Sequence, residues 1–259
     1  MTQIAKDGSG LNLYFCDMGR NLVIGDIHGG LRALHQAMDR AAVSTSDKLI
    51  FLGDYVDGWS QSPDVLDFLM GLQSSNESIF LRGNHDDLLL EWLRGKDNDL
   101  WHQHGGGATI LSYSKLDQSV KDLHISFLDS LDNYHIDDDN RLFVHAGFTN
   151  QHGIAHEYFP RLAFWDRTLW ETAVSLDKNL TPDDVAYPKR FKHYHEIFIG
   201  HTPVTRLGET VPLQRANIWN VDTGAAFKGC LSILDADTKQ FWQSDPLPQL
   251  YPGEKGRNR

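Results

Sequence analysis

The chain runs to 259 residues with 41% hydrophobic and 23% charged content and no linker stretch, the make-up of a soluble enzyme with a well-filled core, so a single domain over 1–259 is expected. A formal charge of −11, without any Lys/Arg run, excludes the electrostatic footprint of a protein that binds long nucleic acids. Its two cysteines, Cys16 and Cys230, exclude a disulfide scaffold and read as buried thiols in a reducing compartment, while a polar Met1–Gly10 and the lack of a long apolar run predict a cytoplasmic protein without membrane contact.

In chain order, Leu22 to Ile24 reads as a strand feeding Gly25-Asp26, Leu31 to Ala42 as a helix, and Lys48 to Leu52 as a second strand feeding Gly53-Asp54. Ser62-Pro63-Asp64 opens a helix through Leu72, with Val65, Leu66, Leu69 and Leu72 on one face. Ser78 to Leu81 is a third strand. From 86 to 131 the pattern is helical, interrupted at Gly105-Gly106-Gly107, and predicts a helical cap inserted after that strand, with Leu88, Leu89, Trp92 and Trp101 as packing residues. Tyr134 to Asp138 and Arg141 to Val144 form a hairpin pattern, an aromatic-rich stretch continues to Tyr194, and strands resume at Glu196 to Ile199, Ile218 to Val221 and Leu231 to Leu234. This order predicts an α/β (α+β) sandwich, two packed mixed sheets flanked by helices. The segment 245–259, with three Pro and two Gly, reads as a surface extension without legible chemistry.

Five blocks fall at strand ends: Gly25-Asp26-Ile27-His28-Gly29, Gly53-Asp54-Tyr55-Val56-Asp57-Gly58, Gly83-Asn84-His85-Asp86, Val144-His145-Ala146-Gly147 and Gly200-His201-Thr202. A glycine at a strand exit permits a sharp turn that aims the next side chain into a crevice at the sheet edge. Asp26 and His28, two positions apart, can grip one cation, and Asp54 on the neighbouring strand can bridge to a second held by Asn84, His145 and His201. Two divalent ions against two first-shell carboxylates leave the site positive, which attracts a phosphate dianion to an acidic chain. Such a pair can hold a bridging water as hydroxide for direct in-line attack on phosphorus, and a proton donor is then needed for the departing alkoxide. His85 is the candidate general acid, with Asp57 placed to fix its tautomer and favour imidazolium.

These motifs resemble the phosphoprotein phosphatase branch of the calcineurin-like metallophosphoesterases, which reads GDxHG, GDxVDRG, GNHE and two later His turns. The spacing is also similar, with 23 residues between Gly29 and Gly53 and 24 between Gly58 and Gly83. The resemblance implies a calcineurin-like metallophosphoesterase fold, one metal on Asp26, His28 and Asp54, another on Asp54, Asn84, His145 and His201, and an acid dyad of His85 and Asp57. It further implies a phosphate-binding Arg167 in Trp165-Asp166-Arg167, and a helix start at Gly105-Gly106 with Thr109 and Tyr113, where His104 stands for the usual Asn. One departure is pronounced: the family's phosphate-binding Arg after the second motif's Asp is replaced by Gly58-Trp59. Arg167, Arg161, Arg82 and Arg32 are available to compensate, with Arg167 preferred, and Trp59 is a candidate stacking platform at the site mouth. Asp86 in place of Glu is a mild change outside the metal shell.

The implied activity is metal-dependent phosphomonoester hydrolysis by a bacterial serine/threonine phosphatase-like enzyme, with two divalent ions (Mn, Fe or Zn, Mn favoured) and a phosphorylated protein or small phosphoester as substrate. The absence of a second His in Gly200-His201-Thr202-Pro203 favours phosphomonoester over nuclease work. The alternatives are a symmetrical dinucleoside tetraphosphatase or other nucleotide phosphohydrolase and, in another class, a catalytically idle, metal-stabilised binding module.

Overall fold

The computed structural model describes residues 19–258, so Cys16 and the Met1–Gly10 segment lie outside the described residues. Two five-stranded sheets pack face to face. The first runs β10-β9-β1-β2-β3, with β1 Asn21–Ile24, β2 Lys48–Phe51, β3 Ser78–Phe80, β9 Ser232–Asp235 and β10 Phe241–Gln243. The second runs β4-β5-β6-β8-β7, with β4 Tyr134–Ile136, β5 Arg141–Val144, β6 Glu196–Ile199, β7 Leu213–Arg215 and β8 Ile218–Asn220. Within them β1, β2 and β3 are parallel to one another, as are β5, β6 and β8.

The period-two alternation of the strands explains the layering. Leu22, Ile24, Leu49 and Phe51 face a helical layer, while Val23 and Ile50 between them face the other sheet. In the second sheet Leu142, Val144, Ile197 and Ile199 face outward under helices, and Phe143 and Phe198 turn inward and stack at 4.9 Å. All are buried, each contributing roughly 1.5–3 kcal/mol through apolar area removed from water.

Helices α1 Leu31–Arg40 and α2 Ser62–Leu72 cover the first sheet, and the four apolar residues expected on one face of α2 are all buried. After β3 come α3 Asn84–Leu93, α4 Asp99–Trp101, a π-helical segment His102–Gly106, α5 Gly107–Tyr113 and α6 Gln118–Asp129. The chain breaks helical geometry at His104 and Gly105, where the glycine run was expected to interrupt it. Over the second sheet lie α7 Leu162–Trp165 and α8 Thr168–Ser175, and α9 Leu247–Leu250 follows β10.

Three expectations are corrected. The segment 245–259 is no surface extension: Leu247 and Tyr251 are buried, and Tyr251 stacks on Trp59 at 5.2 Å. Trp59 is therefore not a platform at the site mouth but a core side chain, fully buried and donating from Nε1 to the Ala225 carbonyl at 2.8 Å. Cys230 is half-buried rather than buried. Among the described residues no helix is long and apolar enough to cross a membrane.

Candidate metal centre

The parallel strands bring the five strand-end turns, four of them led by glycine, to one edge, the carboxyl-end crevice where open α/β sheets place ligands. The turns are tight in a specific way. His28, Asp54, Asp57 and His201 all have positive φ (53°, 54°, 75° and 67°), a conformation that non-glycine residues adopt rarely and at a cost of order 1–3 kcal/mol. Of the eight non-glycine residues with positive φ among the described residues, these four converge on one crevice, so a good part of the backbone strain is placed there. Gly83 lets the third turn close in, since a Cβ there would stand 2.2 Å from Asp54 Oδ1.

Asp86 fastens two of the turns. Its carboxylate accepts the backbone N–H groups of Gly83, Asp54 and Tyr55, each at 2.8 Å, from the first turn of α3. The carboxylate at this position thus braces the backbone that carries Asp54 and Asn84. Replacing Asp86 by Ala leaves three buried donors unsatisfied, which is expected to destabilise the protein by about 3 kcal/mol or more. A urea-denaturation difference below about 1 kcal/mol would exclude this bracing role.

All the sequence-predicted donors meet. His145 Nδ1 lies 2.9 Å from the Leu52 carbonyl and His28 Nδ1 lies 3.2 Å from that of Val56, so each Nδ1–H donates and each Nε2 presents its lone pair to the crevice. His145 Nε2, His201 Nδ1 and Asn84 Oδ1 stand 2.8–3.3 Å from one another, with Asp54 Oδ1 3.4 Å from His145 Nε2. On the other side His28 Nε2 is 3.7 Å from Asp26 Oδ2 and 3.6 Å from Asp54 Oδ2. Asp26 also accepts the His201 backbone N–H at 3.1 Å. Imidazole nitrogens, an amide oxygen and carboxylate oxygens directed at one another fit divalent cations of the Mn, Fe or Zn type. Two groups have metal-binding spacing, His28–Asp54–His85 and Asp54–His145–His201, and they share Asp54.

His85 and Asp57 form a close pair, Nδ1 to Oδ2 2.6 Å, both buried. Asp57 is held in turn by Trp101 Nε1 (2.5 Å) and Thr109 Oγ1 (2.6 Å). Trp101, expected only as packing, is thus also a hydrogen-bond donor to the dyad, and the signal was present in its place just before the glycine run. A cavity of about 260 Å³ opens over these groups, lined by His28, Asp54, Asn84, His85, His201 and Asp222 and by Arg167, Arg206 and Arg257. Arg167 donates to Thr202 Oγ1 at 3.2 Å, and Asp166 before it caps α8 through the N–H groups of Thr168 and Leu169. Trp165 is exposed at the cavity rim. The other arginines considered as replacements are engaged elsewhere: Arg161 and Arg82 with Asp87, and Arg32 with the Leu250 carbonyl.

The electrostatics are those of crowded, mutually dependent charges. Burial works against ionised Asp54, but the neighbouring imidazoles, His145 foremost, prevail and hold its carboxyl well below the ordinary range. Burial lowers His145 too, yet Asp54 carries it up to about 9. His201 is driven well down by burial and by His145. Asp86 and Asp222 are each pushed up to about 7 by burial, assisted by Asp54 and Asp26 respectively. For His85, burial, joined by the charge of Arg257, outweighs the pull of Asp54 and Asp57 and lowers the ring from its ordinary value, while Asp57 itself favours the imidazolium as expected.

Fold and site together define a metallophosphoesterase. The chain belongs to the calcineurin-like phosphoesterase family, whose sequence model matches residues 19–225, and is a hydrolase of that class. It is 27% identical over 253 residues to the Bis(5'-nucleosyl)-tetraphosphatase PrpE [asymmetrical] of Anoxybacillus flavithermus, covering 91% of this chain and 97% of that protein. It is 25% identical to serine/threonine-protein phosphatase 1 of Salmonella typhimurium, covering 82% of this chain and 89% of the other. Among solved structures, a putative diadenosine tetraphosphatase superposes with a TM-score of 0.60 at 20% identity over 88% of this chain and 94% of the other, a likeness of fold.

Proposed function

We propose that the protein hydrolyses phosphomonoesters of poor leaving groups, of the phosphoserine and phosphothreonine kind, with two divalent ions, Mn favoured, and His85 as the proton donor. The observation that carries this reading is the buried His85–Asp57 pair, 2.6 Å apart, beside a complete set of metal donors. Asp26, His28 and Asp54 would hold one ion and Asp54, Asn84, His145 and His201 the other; when bound, such ions polarise a phosphoryl oxygen and lower the pKa of water. With Nδ1 tied to the Asp57 carboxylate, which favours a protonated ring, His85 has Nε2 left for the cavity, and we read it as the donor to a departing oxygen rather than as a ligand. A dianionic substrate entering the cavity supplies the negative charge that raises the ring's proton affinity at the moment it is used. Arg167 would grip a non-bridging phosphoryl oxygen.

A second reading, hydrolysis of dinucleoside tetraphosphates, is supported by the three arginines around one cavity, more positive charge than a single phosphoryl group calls for, and by the PrpE relative. That relative is named asymmetrical, whereas the alternative weighed from the sequence was a symmetrical dinucleoside tetraphosphatase or other nucleotide phosphohydrolase. Turnover of phosphoserine and phosphothreonine peptides and of diadenosine tetraphosphate by the Mn-loaded protein separates the readings. Phosphopeptide kcat/KM at least about tenfold above that for the nucleotide is expected on the first reading, a difference of about 1.4 kcal/mol in transition-state stabilisation. The reverse order would favour the second, and the products, ADP alone or ATP with AMP, would give its regiochemistry.

A further inference from the structure

We propose that Arg257, third from the end of the sequence given, is a substrate-binding residue that presents its guanidinium to the phosphoryl oxygens, taking the role vacated at Gly58. This rests on the reading of the site as one for phosphate esters.

The route of the side chain is the first argument. Gly58 and Gly105 face each other, with the Gly58 N–H donating to the Gly105 carbonyl at 3.3 Å, and the Arg257 stem passes beside both. A Cβ at Gly58 would lie 3.2 Å from Arg257 Cγ, and one at Gly105 2.9 Å from Cγ and 3.3 Å from Cδ. Both glycines also have left-handed φ (105° and 111°). Position 58, where the resembling family keeps Arg, is here the gap through which another Arg enters.

The second argument is the anchor. The residues that replace the family's pattern are the ones that hold the C-terminal segment. Trp59 stacks on Tyr251, and Ser60 donates from its backbone N (3.0 Å) and Oγ (2.8 Å) to the Glu254 carboxylate. The Arg257 N–H then donates to the Ala226 carbonyl at 2.8 Å, which fixes the side chain's origin at the cavity.

The third is the head group. Arg257 lines the cavity with His28, Asp54, His85 and Arg167, and its Nε is buried without a hydrogen-bond partner among the described residues. A buried, unpaired guanidinium donor calls for an acceptor, and phosphoryl oxygens match its fork. Its charge is also felt across the site: it adds to the lowering of His85 and Arg167 and opposes the upward pull of Asp26 and Asp54 on His28.

The test uses the full-length, metal-loaded protein and two separate readouts. Calorimetric binding of inorganic phosphate reads Arg257 whether or not any ester is turned over; Arg257→Ala is expected to weaken it about 10–100-fold, of the order of a lost charge-assisted hydrogen-bond pair. Arg257→Lys should recover part of the loss, and guanidinium ion at non-denaturing concentration should recover part of it in Arg257→Ala. Metal content should be unchanged. With wild-type activity on a phosphate ester, the same variant should raise KM by a similar factor. Phosphate affinity within about twofold of wild type would overturn the assignment, as would a loss matched by Arg257→Lys and unmoved by guanidinium, which would mark a structural role. Wild-type protein that binds phosphate through Arg257 yet hydrolyses no ester would instead sink the functional reading and leave this one standing.

Discussion

Replacement of His85 by Asn is expected to slow hydrolysis of a phosphoserine ester by about 10²–10⁴-fold, the usual contribution of a positioned proton donor. The same variant should slow hydrolysis of p-nitrophenyl phosphate by less than about tenfold, because a nitrophenolate departs without a proton. The difference follows from geometry: His85 Nδ1 is held by Asp57, leaving Nε2 as the ring atom that faces the cavity. Asn retains a polar group in the space while removing the titratable ring. Asp57→Asn should reproduce the discrimination in weaker form, since Trp101 and Thr109 still hold the side chain but the charge opposite the ring is gone. Equal losses on the two esters would remove His85 from proton delivery and make it a metal ligand, as its place in the His28–Asp54–His85 group allows.

The strand-end motifs were legible because each encodes a local event. A glycine followed by Asp, Asn or His at the end of an apolar run specifies a turn within a few residues, and parallel strands then carry all such turns to one edge. The two-sheet sandwich followed from the same rhythm. What escaped was either very short or very distant. Strands β7 and β10 are three residues each at sheet edges, too brief for alternation to register. Trp59 looked like a mouth residue because it follows a site motif, yet the residue that buries it is Tyr251, nearly two hundred positions away. The placement of Arg257 depends on the same long-range contact. Asp86 was undervalued because its function is to accept backbone N–H groups from another turn, a role that leaves no trace in spacing.

Asp54→Asn is expected to abolish metal retention at both positions rather than one. Its two oxygens face opposite ways: Oδ1 lies 3.4 Å from His145 Nε2, and Oδ2 lies 3.6 Å from His28 Nε2. The two metal-capable groups found among the described residues share this carboxylate. Asn keeps the shape, and its oxygen can still accept the His85 backbone N–H that Asp54 Oδ1 takes at 2.9 Å, so folding should survive. The amide removes the negative charge facing His28 and His145 and replaces one donor oxygen with an N–H₂ group that cannot ligate. Loss of an outer-sphere partner alone costs about 10–100-fold, so loss of the shared ligand should reduce activity by about 10³-fold or more. Elemental analysis after gel filtration should find wild-type protein near two ions per chain and the variant near none. At metal concentrations about 100 times Kd, each bound ion contributes roughly 2.7 kcal/mol. For a chain of this size each ion then raises wild-type Tm by about 5–10 °C. The variant should show little of this shift, whereas His145→Ala should keep the half built on His28 and Asp26. Two ions retained by Asp54→Asn would show that the groups fill independently and that no carboxylate bridges them.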